Sequence, residues 1–126
     1  MNDLNELIGR IVKSVELSED KQFITFETDD GQYKFEAFAD CCSDSWIEEL
    51  DNPEALIGQK VNGVESFDID SIDTDEADKK YKGNVGGQEV LSVYRYDIKT
   101  DKGTCTLDFR NSSNGYYGGS LDRVYV

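Results

Sequence analysis

The chain predicts an α+β domain, a mostly antiparallel twisted sheet of about six to seven strands covered by one or two short helices. Three observations predict it. Asp30-Gly31 and Lys102-Gly103 each sit between runs of strand-forming residues, where glycine takes the positive φ of a tight hairpin. Within residues 103–110, Cys105, Leu107 and Phe109 alternate with Thr104, Thr106, Asp108 and Arg110, so one face meets a core and the other meets water. Residues 43–50, SDSWIEEL, place Trp46, Ile47 and Leu50 at spacings of one, three and four behind an N-cap at Ser43 or Asp44, as a short helix would.

The elements follow in order. DLNEL at 3–7 forms an acidic helical turn that Gly9 ends in a left-handed cap. Strands then span about 11–17, 22–28 and 32–38, followed by the helix over 43–50. NPEAL at 52–56 and Gly58 repeat the opening turn, and further strands span about 60–69, 88–99 and 103–110, with a short last one at 121–125. Phe23, Ile24, Phe26, Tyr33, Phe35, Val93 and Ile98 supply much of the core.

All 126 residues read as one domain that says things twice. LIGRIVKSVE at 7–16 returns as LIGQKVNGVE at 56–65, and TDDGQYKFEAF at 28–38 returns as TDKGTCTLDFR at 100–110. The echoes frame pseudo-repeat halves of about 5–46 and 54–118. The second half carries an acidic insert, about 66–88, that reads as a mobile hairpin tip or a long loop with its least ordered part in the middle. Its patch comprises Asp68, Asp70, Asp73, Asp75, Glu76 and Asp78.

Composition excludes several functions. Twenty-seven acidic residues against 13 basic ones give a formal net charge of -14. Such a surface repels phosphate backbones and anionic lipids and attracts basic partners, so direct nucleic-acid and membrane binding are disfavoured. No apolar run approaches a membrane span and the first ten residues lack a signal pattern, which reads as soluble and unexported. There is no histidine, so Ser-His and Cys-His catalysis and histidine metal ligation are absent, and the chain reads as a non-enzyme without cofactor or metal. Asp68 and Asp70 begin like a calcium loop, but Asp73 stands where glycine is needed and Lys79 where glutamate is needed. Cys41, Cys42 and Cys105 make a poor disulfide framework and read as reduced, small apolar fillers.

The candidate binding surface is FRNSSNGYYGGSL at 109–121 together with Asp44 and Trp46. Arg110 offers a positive fork, Asn111 and Asn114 paired donors and acceptors, and Tyr116 and Tyr117 flat contact area. The same composition also suits a structured loop whose asparagines bond their own backbone and whose tyrosines pack on the sheet. On the repeat, the DCCSDSW segment at 40–46 is the counterpart of this stretch and lies beside it.

DCCSDSW and FRNSSNGYYGGSL, with an LIG opening and a TDxG hairpin before each, resemble a family of small bacteriophage and prophage proteins. The likeness spans nearly the whole chain apart from the acidic insert, and it brings no catalytic residues with it. It implies a phage product acting in the host bacterial cytoplasm. Three expectations follow. The first is a non-catalytic inhibitor, of the anti-CRISPR or DNA-mimic type, that occupies the basic surface of a host defence or nucleic-acid-handling protein. The second is a binder of a small ligand such as a nucleotide signal, through Arg110, Asn111, Asn114, Tyr116 and Tyr117. A homodimer or assembly subunit joined through an exposed sheet edge is a third.

Overall fold

The computed structural model describes residues 3–115 and 118–125. Short 3-10 turns at Asp3–Leu7 and Pro53–Ala55 each precede a set of four strands. The first set is β1 (Val12–Leu17), β2 (Phe23–Thr28), β3 (Gly31–Ala39) and β4 (Asp44–Asp51). The second is β5 (Gly63–Asp73), β6 (Val90–Thr100), β7 (Gly103–Ser113) and β8 (Gly119–Val124), with helix α1 (Thr74–Lys80) after β5. Two four-stranded antiparallel sheets result, ordered β1-β2-β3-β8 and β4-β7-β6-β5. The α+β expectation is therefore corrected: the fold is mainly β, with eight strands among the described residues and one short helix.

The strand orders of the two halves correspond. Each half makes a three-stranded meander, then sends its fourth strand to pair with the third strand of the other half, β4 on β7 and β8 on β3. Where the halves meet, Ile11 bridges Lys60, and the flanking hydrogen bonds come in matched sets. Gly9 N–H donates to Val61 O at 2.9 Å as Gly58 N–H donates to Val12 O at 2.8 Å. Val12 N–H donates to Gln59 O at 3.0 Å as Val61 N–H donates to Arg10 O at 2.9 Å. Gly9 and Gly58 sit at φ 88° and 73°, the left-handed cap that their position after the turn requires. The two hairpins match as well, since Thr28 and Thr100 each donate a hydroxyl to the carbonyl of the turn glycine, Gly31 and Gly103, at 2.8 and 3.2 Å.

The core lies between the sheets. Phe26 and Phe35 meet edge to face at 5.8 Å, and Tyr96 meets Phe109 in the same way at 5.8 Å. Ile24, Ile47, Ile98, Leu107 and Leu121 fill the space around them and are fully buried. Each such side chain contributes about 1.5–3 kcal/mol of burial. Phe23 does not join them; it lies on the opposite face of β2, under Lys34 Nζ at 4.4 Å from the ring centre.

The expected helix at 43–50 is β4, and a bulge explains the misreading. Between Ile47 and Glu49 the register shifts by one residue, so Ile47 pairs with Phe109 and Leu50 with Leu107 on the same inner face. Two apolar residues three apart thus share a face, which is the spacing a helix would show. Trp46 points the other way into a second cluster with Ile72, Ala77, Tyr81, Val85, Leu91 and Val93. That cluster corrects the reading of the insert. Its chain continues β5 to Asp73, turns once as α1 and returns across the outer face of the second sheet, burying Ala77 and Val85 over Trp46.

Candidate functional site

The β4–β7 pairing brings the two conspicuous motifs side by side. Asp44 pairs with Ser112, Ser45 with Asn111 and Trp46 with Arg110, while Asp40 and Gly118 exchange hydrogen bonds at 3.0 and 3.3 Å. Their polar groups face one another. Asn111 is fully buried, and its Nδ2 donates to Ser43 Oγ at 3.1 Å and Ser45 Oγ at 2.9 Å, leaving Oδ1 without a partner among the described residues. Gly119 packs so closely that a Cβ there would lie 2.0 Å from Ser45 Oγ and 2.7 Å from Phe38 O.

Arg110 is 3% exposed. Its Nε and Nη2 form a fork on Asp108 at 3.1 and 2.9 Å, its Nη1 donates to Asn84 O at 2.8 Å, and Tyr81 lies 5.5 Å beneath it. The fork expected for a ligand is thus committed inside the fold. Trp46 is buried and its indole donates to Glu48 Oε1 at 2.9 Å, Asp44 is exposed, and Asn114 is exposed at the end of the stretch. Tyr116 and Tyr117 lie outside the described residues.

A cleft of about 760 Å³ opens beside this junction, lined by Lys21, Gln22, Ser43, Ser45, Trp46 and Glu48. Burial opposes ionisation of Glu48, but hydrogen bonds from Trp46 and Asn84 with the charges of Lys21 and Arg110 outweigh it, so its carboxyl is held below the usual range. Lys21 is spent on the same residue, donating to Glu48 O at 2.9 Å. Lys21 and Glu48 on the cleft wall therefore satisfy one another.

The acidic insert is partly neutralised. Asp70 accepts from Lys80 at 2.6 Å and from the Tyr81 hydroxyl at 2.5 Å, which hold it below the usual carboxylate range. Burial, then Asp70, pushes the Tyr81 hydroxyl up to about 12. Asp75 and Glu76 occupy the first turn of α1 and Lys79 and Lys80 the last, an order that suits the helix dipole. Asp68, Asp73, Asp75, Glu76 and Asp78 are exposed, but three lysines stand among them at 79, 80 and 82. Among the described residues no group of three or more carboxylates or thiols is placed to hold a metal ion.

A different surface carries unbalanced charge. On the outer face of the first sheet, Glu16 lies opposite Thr25, Glu27 opposite Gln32, and Glu36 opposite Asp122. Lys34 stands among these four carboxylates, and none of the four makes an ion pair among the described residues. Like charges set directly opposite across two strands destabilise a sheet, by up to about 1 kcal/mol. Among the described residues no second cluster of buried residues covers this face, which also exposes Phe38 beside Ser120. It is the candidate site. Sequence reading missed it because its members are scattered over four strands; the available signal was Glu27 and Glu36 at outward positions beside the buried Phe26, Phe35 and Ala37.

No solved structure matches the chain. An uncharacterized protein of Acanthamoeba polyphaga mimivirus is 32% identical over 102 residues, covering 79% of this chain and 73% of the relative. The similarity supports a small viral protein. A family model described as a domain of unknown function, DUF7448, matches residues 5–123, and the chain belongs to that family.

Proposed function

We propose that this is a non-catalytic viral binding protein that docks the outer face of its first sheet on a basic surface of another protein. The observation that carries the reading is the set of Glu16, Glu27, Glu36 and Asp122, four carboxylates on one uncovered face without an ion pair among the described residues. A fold that retains opposed like charges gives up stability, and a cationic partner relieves that repulsion. The four carboxylates stand one on each of the four strands, so the sheet holds the charge in place rather than a flexible tail. The partner class it fits is a nucleic-acid-handling protein whose cationic groove is built for spaced anions.

The bacteriophage source, the bacterial cytoplasm and an anti-CRISPR role rest on the motif resemblance alone. The mimivirus relative favours a wider reading, in which charge rather than one bacterial defence system sets the target. A nucleotide-ligand reading requires free donors on Arg110, and these face Asp108 and Asn84.

The test compares two amide variants of equal charge change. Glu16, Glu27, Glu36 and Asp122 are converted together to Gln or Asn in one, and Glu49, Asp51, Glu65 and Asp75 in the other. Binding to an arginine-rich peptide is measured across a salt series. The first variant is expected to lose about tenfold or more in affinity, equal to about 1.4 kcal/mol, and most of its salt dependence, while the second stays near wild type. Equal losses in both would reduce the effect to net charge and overturn the reading.

A further inference from the structure

Cys41 and Cys42 do not fill a core. Both are exposed, whereas Cys105 is fully buried in the main cluster with its thiol pushed up to about 12 by that burial. The pair occupies the two central positions of the corner between β3 and β4, where Asp40 O accepts the Ser43 amide at 3.1 Å and the Ser43 hydroxyl at 2.7 Å. Cys42 sits at φ 69°, a left-handed conformation that costs a non-glycine residue about 1–2 kcal/mol. Glycine would suit that position in a tight turn, yet a second thiol is there instead. The two sulfurs lie 3.0 Å apart. Exposure, juxtaposition and a backbone outlier thus coincide at one place, and an outlier of this kind is a pointer to use.

We propose that Cys41 and Cys42 form a thiol-exchange site that closes reversibly to a vicinal disulfide with low-molecular-weight disulfides as oxidant. One thiolate attacks a sulfur of the small disulfide, forming a mixed disulfide and releasing the first small thiolate. The neighbouring thiol loses its proton to water and attacks the protein-side sulfur, which expels the second small thiolate and closes a ring through both Cβ atoms and the intervening peptide. The two protein sulfurs are oxidised, one small disulfide is reduced to two thiols, and the protons end on those thiols. Adjacent Cα atoms are about 3.8 Å apart across a trans peptide, short of the roughly 4.4–6.8 Å of a relaxed disulfide. The closed ring is accordingly strained and easily reduced, which places it among exchangeable rather than structural bridges. The same corner holds Gly118 through Asp40, so the site borders the junction of the two motifs.

The full chain is incubated with oxidised glutathione at neutral pH, alkylated in denaturant and analysed by intact mass and peptide mapping. The expected product carries alkyl only on Cys105 and a 41–42 peptide lighter by two hydrogens, and dithiothreitol restores alkylation at all three cysteines. In Cys42→Ser, which lacks the resolving sulfur, glutathione is expected to remain on Cys41. Phenylarsine oxide, which bridges paired thiols, is expected to bind the reduced wild-type chain and neither Cys41→Ser nor Cys42→Ser. A lasting glutathione adduct on the wild-type chain, a disulfide-linked dimer, full alkylation after oxidation, or equal arsenical binding by the variants would each overturn the proposal.

Discussion

The outer faces of the two sheets occupy corresponding places in the two halves and balance their charge differently. The second sheet also sets Glu49 opposite Asp108 and Glu65 opposite Asp97, but there cations pair with Asp108, Glu65 and Asp97. On the second sheet, Arg110 forks onto Asp108, Arg95 reaches Asp97 at 3.3 Å, Lys99 pairs with Glu65, and the insert covers one end through Trp46 and Ala77. On the outer face of the first sheet no such ion pair forms among the described residues, and Glu27 and Asp122 accept only from the neutral Gln32 and Ser120. Glu36 faces Asp122, Glu16 and Glu27 stand further along on the two neighbouring strands, and the central Lys34 sits over Phe23 rather than on a carboxylate. The contrast separates polar residues that build the fold from polar residues left over for a partner. Arg110, Asn111 and Trp46, which stand out in the sequence, belong to the first kind.

The largest break in the comparison comes from Trp46→Ala. It empties the small cluster under the insert and is expected to cost about 3–5 kcal/mol, with faster amide exchange over α1 and residues 81–89 than over the first sheet. Chemical denaturation and hydrogen exchange read both effects. Gly119→Ala is expected to cost about 1–3 kcal/mol, because the added carbon meets Ser45 Oγ and the Phe38 carbonyl within one tight joint.

A pair of isosteric changes sharpens the contrast by sign. Asp108→Asn strips the partner from a buried guanidinium and is expected to destabilise by about 1–3 kcal/mol. Asp122→Asn removes the repulsion on Glu36 and is expected to stabilise by a few tenths of a kcal/mol. Thermal melts of the two variants check this, and a loss of stability in both would erase the distinction between the faces.

The smallest effect is in pH. Glu48 has its carboxyl held below its ordinary value, so its contribution is present at neutral pH and above the unfolded pKa, and is lost as pH falls through the folded one. The melting temperatures of wild type and Glu48→Gln should therefore converge on acidification. A constant gap would mean that Glu48 acts by packing alone.

The meanders were legible in the sequence because alternation in strands such as 103–110 and glycines at 31 and 103 act locally. The α+β class was not, because one bulge at Glu48 gave a strand the apolar spacing of a helix, and because α1 is a seven-residue element hidden in a charged insert. Contact between 40–46 and 109–121 could be read from the echoes. The acidic face was legible only in part: Glu16, Glu27 and Glu36 lie on consecutive meander strands, but Asp122 joins them only once β8 returns to β3, a pairing between residues far apart in the chain.

The most direct test of the central claim is to titrate the isotope-labelled protein with an arginine-rich peptide and follow its backbone amides by NMR. The account predicts perturbations centred on Glu16, Glu27, Glu36 and Asp122 that fade as salt is raised. Perturbations centred on α1 or the second sheet, or spread evenly over the surface, would contradict it.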